Sequence, residues 1–436
     1  MSRTASAFTE LAGRIHAFIR ATSDDPVNPV NFAATTAATN PSPDRRHPGG
    51  SARDSSEQRE DSASAPLGNG EPPGRRRSWD AGAAAAREAE FNTLALELFA
   101  LQLKHNPAVR ALALARTRRG AAASPANWRE IPPVPVAAFK ELDVTSLLPE
   151  ARETVFHSSG TTGQIPSRHF HSAESLHLYE ASLLPWFRRH LHADRDDANL
   201  QSGLQNLFLT PPPESAPHSS LVHMFGTIAA ASREPQAADF LGRIAADGAW
   251  TLDFEKAVTT LRLAADDGAP VLICGTAFLF VHLLDFLAAQ NLAVKLPAGS
   301  RVLETGGYKG RSRKLPKAEL HREITRRLGV PASHLVCEYG MSELSSQAYD
   351  ITVPARANGA RGFHFPPWAR AQIVSPETGA EVGDGETGLI RICDLANVWS
   401  ALALQTEDLG VRRGDGFELL GRAALAEPRG CSRLTI

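Results

Sequence analysis

No run of this sequence approaches the roughly 20 apolar residues needed to span a bilayer. The opening stretch, MSRTASAFTELAGRIHAF, also lacks the compact apolar block and small-residue cleavage site of a secretory signal. The expected compartment is therefore the cytoplasm, without integral membrane association. Cysteine is scarce: Cys274, Cys337, Cys393 and Cys431 lie far apart with no CxxC pair. Neither a disulfide framework nor a zinc site is expected from that spacing. An excess of one charge is missing too, since 46 Lys plus Arg stand against 48 Asp plus Glu for a net charge of −2. That balance argues against a nucleic acid or an anionic membrane as the main partner. The phosphate-binding pattern GxxxxGK[ST] is absent, and no internal repeat is found.

What is present is ordinary globular composition, with 42% hydrophobic and 22% charged residues in 436. That length suits two or three average domains, or one large α/β domain with an appendage. Residues 6–20 have Phe8, Leu11, Ile15, Phe18 and Ile19 on one side of a helical projection, so an N-terminal helical segment is expected within 1–23. From 24 to 82 the chain is rich in Pro, Ser, Ala, Asn, Gly and Arg without aliphatic periodicity, and reads as a disordered low-complexity insert. Order is expected to resume at 83, where Phe91, Leu94, Leu98 and Leu101 recur at helical spacing before a stop at Asn106-Pro107. The main domain is thus read as 83–436.

Beyond residue 150, apolar runs of strand length (ETVFHSS, QNLFLTP, PVLICG, RVLETGG, HLVCEYG, LIRICD) alternate with helical patterns at 173–190, 253–266, 276–290 and 317–329. This alternation predicts an α/β fold with a largely parallel sheet, whose ligands bind at the carboxyl ends of the strands.

Three stretches carry candidate chemistry. The first, His157 to Ser167, places Ser158, Ser159, Gly160, Thr161, Thr162 and Gly163 after a strand. Glycines admit close backbone approach, and N–H groups with hydroxyls can cradle phosphate oxygens. A flexible turn has the same composition. The second is Glu338-Tyr339-Gly340-Met341-Ser342-Glu343. Tyr339 offers a flat face to an adenine ring and Glu343 an oxygen ligand to Mg²⁺; a strand-end turn with a solvated carboxylate also fits. The third runs from Thr406 to Gly410 and continues as Asp415 to Arg422. Asp408 can accept from a ribose diol and Arg422 can neutralise phosphate charge, or both can belong to surface β structure.

In order and spacing, SSGTTG, YGMSE and TEDLG with DGFELLGR resemble the phosphate, adenine–metal and ribose–hinge motifs of the adenylate-forming superfamily. Thr305-Gly306-Gly307-Tyr308-Lys309-Gly310 lies where that family keeps the loop edging the adenine. FNTLALELFALQLKHNPAVR, WREIPPVPVAAFKE, PHSSLVHMFG, ETGGYKG and LLGRAALAEPRGCS narrow the resemblance to the LuxE-type acyl-protein synthetases, over roughly 84–436. The resemblance implies a large adenylate-forming domain with mixed, largely parallel sheets flanked by helices. It implies ATP and Mg²⁺ as cofactors, and activation of a long-chain fatty acid as acyl-AMP. It further implies transfer of the acyl group to a thiol and a fatty-acid reductase as protein partner.

Two departures from the wider superfamily bear on this. Ser167 stands where many members carry lysine, and fourteen residues follow Arg422, too few for the usual C-terminal lid and its catalytic lysine. LuxE-type proteins share that truncation, and their C-terminal acyl-acceptor cysteine corresponds to Cys431. Lys309 is the candidate replacement for the lid lysine, with Arg311 and Lys314 nearby; solvated surface charges are the alternative for all three. His223, in HSSLVHMFG, is the candidate beside the acyl carboxylate, although a structural histidine fits equally. Phe208, Met224, Phe225, Phe278 and Phe280 are candidates for an acyl channel, with core packing the alternative. Two other functions fit the same chain. One is an aryl- or acyl-CoA or carrier-protein ligase, which has no need of Cys431. The other is a non-catalytic nucleotide- or acyl-binding relic, which binds ATP without releasing pyrophosphate.

Overall fold

The computed structural model describes residues 3–23, 73–117, 124–158, 165–195, 204–232, 238–308, 312–355 and 361–423. Within them the chain order begins with α1 (Arg3–Ser23), α2 (Pro73–His105), α3 (Pro107–Thr117), β1 (Val134–Pro135), α4 (Ala138–Glu141), β2 (Thr154–His157), β3 (Arg168–His171) and α5 (Ala173–Leu191). It continues with β4 (Gln205–Phe208), α6 (Ser220–Ala230), β5 (Ala238–Phe240), β6 (Gly242–Ile244), β7 (Trp250–Leu252), α7 (Phe254–Asp267), β8 (Val271–Thr276) and α8 (Ala277–Ala289). Last come β9 (Arg301–Thr305), α9 (Lys317–Leu328), β10 (Leu335–Tyr339), β11 (Ala348–Tyr349), β12 (Ala369–Val374), β13 (Thr387–Asp394), β14 (Ala403–Arg413) and β15 (Gly416–Arg422).

Two sheets organise these elements. The larger has the order β11-β10-β9-β8-β4-β5, parallel throughout except for the β10–β11 pair. A parallel sheet must be covered on both faces, and side chains alternate along its strands to meet that need. Leu207, Val271, Ile273, Val302 and Leu335 pack with α7, α8 and α9. Their neighbours Phe208, Leu272, Cys274, Leu303 and Val336 pack on the opposite side with α5, α6 and α2. The second sheet, β1-β14-β13-β12 with β15 on β14, is antiparallel apart from β1–β14. LIRICD (β13) therefore belongs to an antiparallel sheet, and ETVFHSS (β2) to a separate antiparallel pair with β3, so neither lies in the parallel sheet.

Helix ends follow local chemistry. Ser172 and Ser175 form a reciprocal cap at the start of α5, and Asp253 caps α7 through Lys256 N. Gly268 and Gly329 terminate α7 and α9 at φ values of 67° and 72°, a left-handed conformation that glycine adopts without strain.

The amino-terminal helix is part of the core. Phe8, Leu11, Ile15, Phe18 and Ile19 are all buried, and the Phe8 ring lies 6.3 Å from Trp399. α2 begins at Pro73, so the boundary expected at residue 83 falls inside a helix. Proline suits a first helical turn, and the alanine-rich stretch that follows sustains a helix without an apolar stripe. Residues 24–72 lie outside the described residues. α2 ends at His105 and α3 starts at Pro107, with Asn106 between them as expected.

Candidate functional site

β9 and β10 run parallel, with Thr305 opposite Glu338. Each strand ends in a glycine-bearing turn. Gly306 takes φ 63°, which only glycine adopts freely. A Cβ at Gly340 would run into the Glu338 carboxylate, so that turn needs glycine because of a close approach. The Thr305 hydroxyl donates to Glu338 across the pair. The Gly306-Gly307 turn and the Tyr339-Gly340 turn are thus held side by side at the carboxyl edge of the large sheet.

Tyr339 bridges from this edge to the second sheet. Its hydroxyl donates to Asp408 Oδ2 on β14 at 2.9 Å, and its ring packs among Phe363, Phe365 and Phe417. Burial and the neighbouring Asp408 carboxylate push its phenol well up, so it is a fixed donor. The residue is only 6% exposed, so less of its face is open than the sequence suggested for an adenine platform. Asp408 pairs in register with Arg422 on β15; their charged atoms stand 3.9 Å apart and the arginine side chain is largely exposed. Arg422 is equally close to Glu407.

Glu343 follows one turn after Gly340 and is buried. Burial pushes its carboxyl up, against opposing effects of the Ser167 hydroxyl, its own backbone, the Ser342 hydroxyl and the more distant Arg422. Among the described residues no cation lies within ion-pair distance of it. A buried carboxylate beside the hydroxyls of Ser167 and Ser342 is a hard-oxygen donor set, and its chemistry fits Mg²⁺. Ser167 also closes the base of the first candidate loop: its N–H donates to Ser158 Oγ at 2.9 Å, and its carbonyl accepts from Ser158 N at 3.3 Å. Ser159, Gly160, Thr161, Thr162 and Gly163 lie outside the described residues, as do Lys309, Arg311 and Cys431. Lys314 is exposed.

His223 sits on α6 with its ring 5.3 Å from Phe156 and 5.6 Å from Tyr179, and its Nε2 is 3.2 Å from a Glu180 carboxylate oxygen. Two further histidines that sequence reasoning missed share this wall. His169 and His171 of β3 have ring centroids 4.3 Å apart, and both are buried. His169 Nδ1 lies 2.7 Å from the Ser342 carbonyl, and burial lowers its pKa to about 4. The alternation Arg-His-Phe-His was the available signal, since period 2 puts both imidazoles on one face. Glu338 was also missed, although it directly precedes Tyr339.

The proposed acyl-channel set divides. Phe208, Met224 and Phe225 belong to the α5–α6 face, whereas Phe278 and Phe280 belong to the α7–α9 face. A sheet separates the two groups, so the five cannot line one channel.

The chain resembles known proteins over part of its length. Residues 235–435 match the family model described as acyl-protein synthetase, LuxE. The long-chain-fatty-acid–luciferin-component ligase of Aliivibrio fischeri is 22% identical over 192 residues, 42% of this chain and 49% of that protein. The protein of the same name from Vibrio harveyi is 22% identical over 190 residues, 42% of this chain and 48% of its own length. The matched stretch therefore spans about half the length of these curated relatives. Among solved structures, 2-hydroxyisobutyryl-CoA ligase in complex with 2-HIB-AMP and CoA superposes with a TM-score of 0.53 at 14% identity, covering 78% of this chain and 69% of that one. The chain has the fold of the adenylate-forming ligases and is related, through residues 235–435, to the LuxE acyl-protein synthetases.

Proposed function

We propose that this protein activates a carboxylic acid with ATP as an acyl-adenylate and passes the acyl group to a thiol. The observation that carries the reading is the Tyr339–Asp408 hydrogen bond, which joins the carboxyl edge of the parallel sheet to the antiparallel sheet. Thr305, before the Gly306 turn, pairs with Glu338 beside Tyr339; the exposed Arg422 guanidinium pairs with Asp408, and its charge acts on the buried Glu343 carboxylate.

In this reading the adenine lies against the Gly306-Gly307 turn and the edge of Tyr339-Gly340. Asp408 accepts from the ribose hydroxyls. Ser158 and the loop through Gly163 receive phosphate oxygens, and Arg422 adds positive charge at the rim. Glu343 with Ser167 would hold Mg²⁺, which neutralises charge on the phosphates when bound. The substrate carboxylate is already ionised at neutral pH, so the attack on the α-phosphorus needs position and charge neutralisation more than proton transfer. His223 lies on the wall where the carboxylate is expected. Lys309 is the proposed cation for the transferring group, and Cys431 the proposed thiol that displaces AMP to give a thioester. A long-chain fatty acid as substrate is supported by the family match and the names of the curated relatives; a fatty-acid reductase as recipient and the cytoplasm as compartment complete the proposal. Among the described residues no helix is long and apolar enough to cross a membrane.

The test is the intact mass of the full chain after incubation with tetradecanoic acid and Mg²⁺, with and without ATP, alongside ATP–pyrophosphate exchange. An ATP-dependent, hydroxylamine-sensitive acyl adduct that is lost in Cys431→Ser is the expected result. Exchange without an adduct overturns the Cys431 step. Absence of exchange across a panel of fatty and aryl acids overturns adenylation itself.

A further inference from the structure

One side-chain cluster outside the candidate site has metal-binding chemistry. The register of the parallel pair sets Glu304 of β9 beside Cys337 of β10. Alternation turns both toward α9, on the face opposite Thr305 and Glu338. His321 of α9 descends onto them. Cys337 Sγ lies 3.1 Å from Glu304 Oε2, His321 Nε2 lies 3.6 Å from the same carboxylate oxygen, and His321 Nε2 lies 3.6 Å from the sulfur. All three residues are buried, at 4%, 8% and 1% exposure respectively for Glu304, His321 and Cys337.

These spacings are informative. Zinc bonds of roughly 2.3 Å to sulfur and 2.0–2.2 Å to nitrogen and oxygen, opened at a tetrahedral angle, separate the donor atoms by about 3.4–3.6 Å. The two contacts made by His321 fall on that value, and the thiol–carboxylate contact is a few tenths of an ångström short of it. Without an ion, the same convergence lets the thiol and the imidazole hydrogen-bond to the buried carboxylate; with one, the three donor atoms are already at ligand spacing.

We infer that Glu304, His321 and Cys337 form a site for a thiophilic divalent cation, with Zn²⁺ as the fitting ion and one coordination position left to water. On binding, the Cys337 S–H bond is replaced by an S–Zn bond, and the proton passes to solvent. Thiolate and carboxylate together balance the ion's two positive charges, and the imidazole binds as the neutral base.

Burial and the Asp350 and Glu304 carboxylates push the Cys337 thiol up, and two cationic side chains near the sulfur oppose them. Arg361 Nη2 lies 3.8 Å from Cys337 Sγ and is held there by Asp350, which also accepts from the Cys337 N–H at 2.7 Å. This Arg–Asp pair is an outer shell of the kind that orients metal ligands. Lys317, at the first turn of α9, adds a further positive field. Its ammonium, 5.1 Å from the Phe363 ring centroid, also bonds to the Cys337 sulfur, so an entering ion would displace it.

The position gives the site a role. Glu304 immediately precedes the Thr305-Gly306-Gly307 turn, and Cys337 lies two residues before Tyr339. A metal bound here would clamp β9, β10 and α9 directly beneath both turns of the nucleotide site.

The test uses the full chain, purified reduced from zinc-supplemented medium. About one equivalent of zinc is expected by elemental analysis. After exchange for Co²⁺, thiolate-to-cobalt charge-transfer absorption in the near ultraviolet should accompany the visible d–d bands of a tetrahedral ion. Both signals should vanish in Cys337→Ser and His321→Asn and persist in Cys274→Ser, which alters a buried thiol elsewhere in the sheet. Wild-type protein with no bound zinc and no charge-transfer band overturns the inference without recourse to variants, and so does a band that survives Cys337→Ser. Pyrophosphate exchange in the same preparation separates the two proposals: metal-free protein that exchanges refutes only this site, and metal-loaded protein that does not exchange refutes only the adenylation reading.

Discussion

The Tyr339 hydroxyl donates to Asp408 across 2.9 Å, and with that bond a strand-end turn of one sheet is fastened to the middle of another. A fixed donor on one side leaves the Asp408 carboxylate with one oxygen oriented and its second, 3.9 Å from Arg422 Nε, placed to accept from a ligand. Asp408→Ala should raise the KM for ATP by about ten- to a hundredfold, the loss expected for a hydrogen bond to a charged group. Tyr339→Phe should raise it about tenfold, since the carboxylate remains but loses its orientation. Pyrophosphate exchange over a range of ATP concentrations checks both; equal KM values in wild type and Asp408→Ala would remove Asp408 from the nucleotide site.

Glu343 should show opposite effects on stability and activity. Its carboxyl is pushed up by burial, so ionisation at neutral pH costs folding energy. Glu343→Gln should therefore raise the thermal midpoint at neutral pH while lowering metal-dependent exchange by about a hundredfold. Retained exchange in a more stable variant would mean that the metal is held elsewhere.

At Gly340 the prediction concerns space. Gly340→Ala places a methyl group against the Glu338 carboxylate, which is itself tied to Thr305. Overpacking of this kind costs about 1–3 kcal/mol. The double variant Gly340→Ala/Glu338→Ala should recover part of that loss in urea unfolding, because the obstacle is the end of one side chain. No recovery would locate the strain in the backbone.

Glu338 makes a pH-dependent prediction. Burial raises its carboxyl from 4.5 to about 7, with Glu304 adding to the shift and the Thr305 hydroxyl opposing it. For an acid whose folded pKa is raised, the favourable term is present below the unfolded value and lost as pH rises through the folded one. Glu338→Gln keeps an acceptor for Thr305 and should match wild type near pH 4. By pH 8 it should be more stable, by on the order of 3 kcal/mol for a shift of this size. Denaturant melts at the two pH values decide it, and an equal difference at both would show that Glu338 is not titrating in this window.

The amino-terminal helix should behave as core. Ile15 is fully buried and packs within the same cluster as α5 and the Trp399 region. Ile15→Ala should cost about 3 kcal/mol in chemical denaturation. A variant as stable as wild type would make α1 a dispensable arm.

Much of this was legible in the residues themselves. The runs QNLFLTP, PVLICG, RVLETGG and HLVCEYG became β4, β8, β9 and β10, and the helical patterns at 173–190 and 317–329 became α5 and α9. Continuous apolar runs and 3.6-residue periodicity are local signals, and burial on both faces of a parallel sheet reinforces them. The motif glycines were legible for the same reason: Gly306 requires a backbone conformation, and Gly340 an empty position, that the neighbouring strand ends impose. The start of α2 was not, because an alanine-rich helix carries propensity without an apolar stripe.

Pairings distant in sequence belonged to the tertiary structure alone. Residue order and spacing determined the α/β class, the strand ends proposed to carry chemistry and the resemblance to LuxE-type synthetases. They could not show that Phe278 and Phe208 lie on opposite faces of one sheet, or that Tyr339 reaches Asp408 sixty-nine residues on. Nor does cysteine spacing reveal the cluster of Glu304, His321 and Cys337. Metal-ligand motifs are visible in sequence only when one turn or hairpin supplies the donors. Here two parallel strands and the helix between them bring the donors together, and the strand register, set by the hydrophobic packing of the whole sheet, decides which side chains meet.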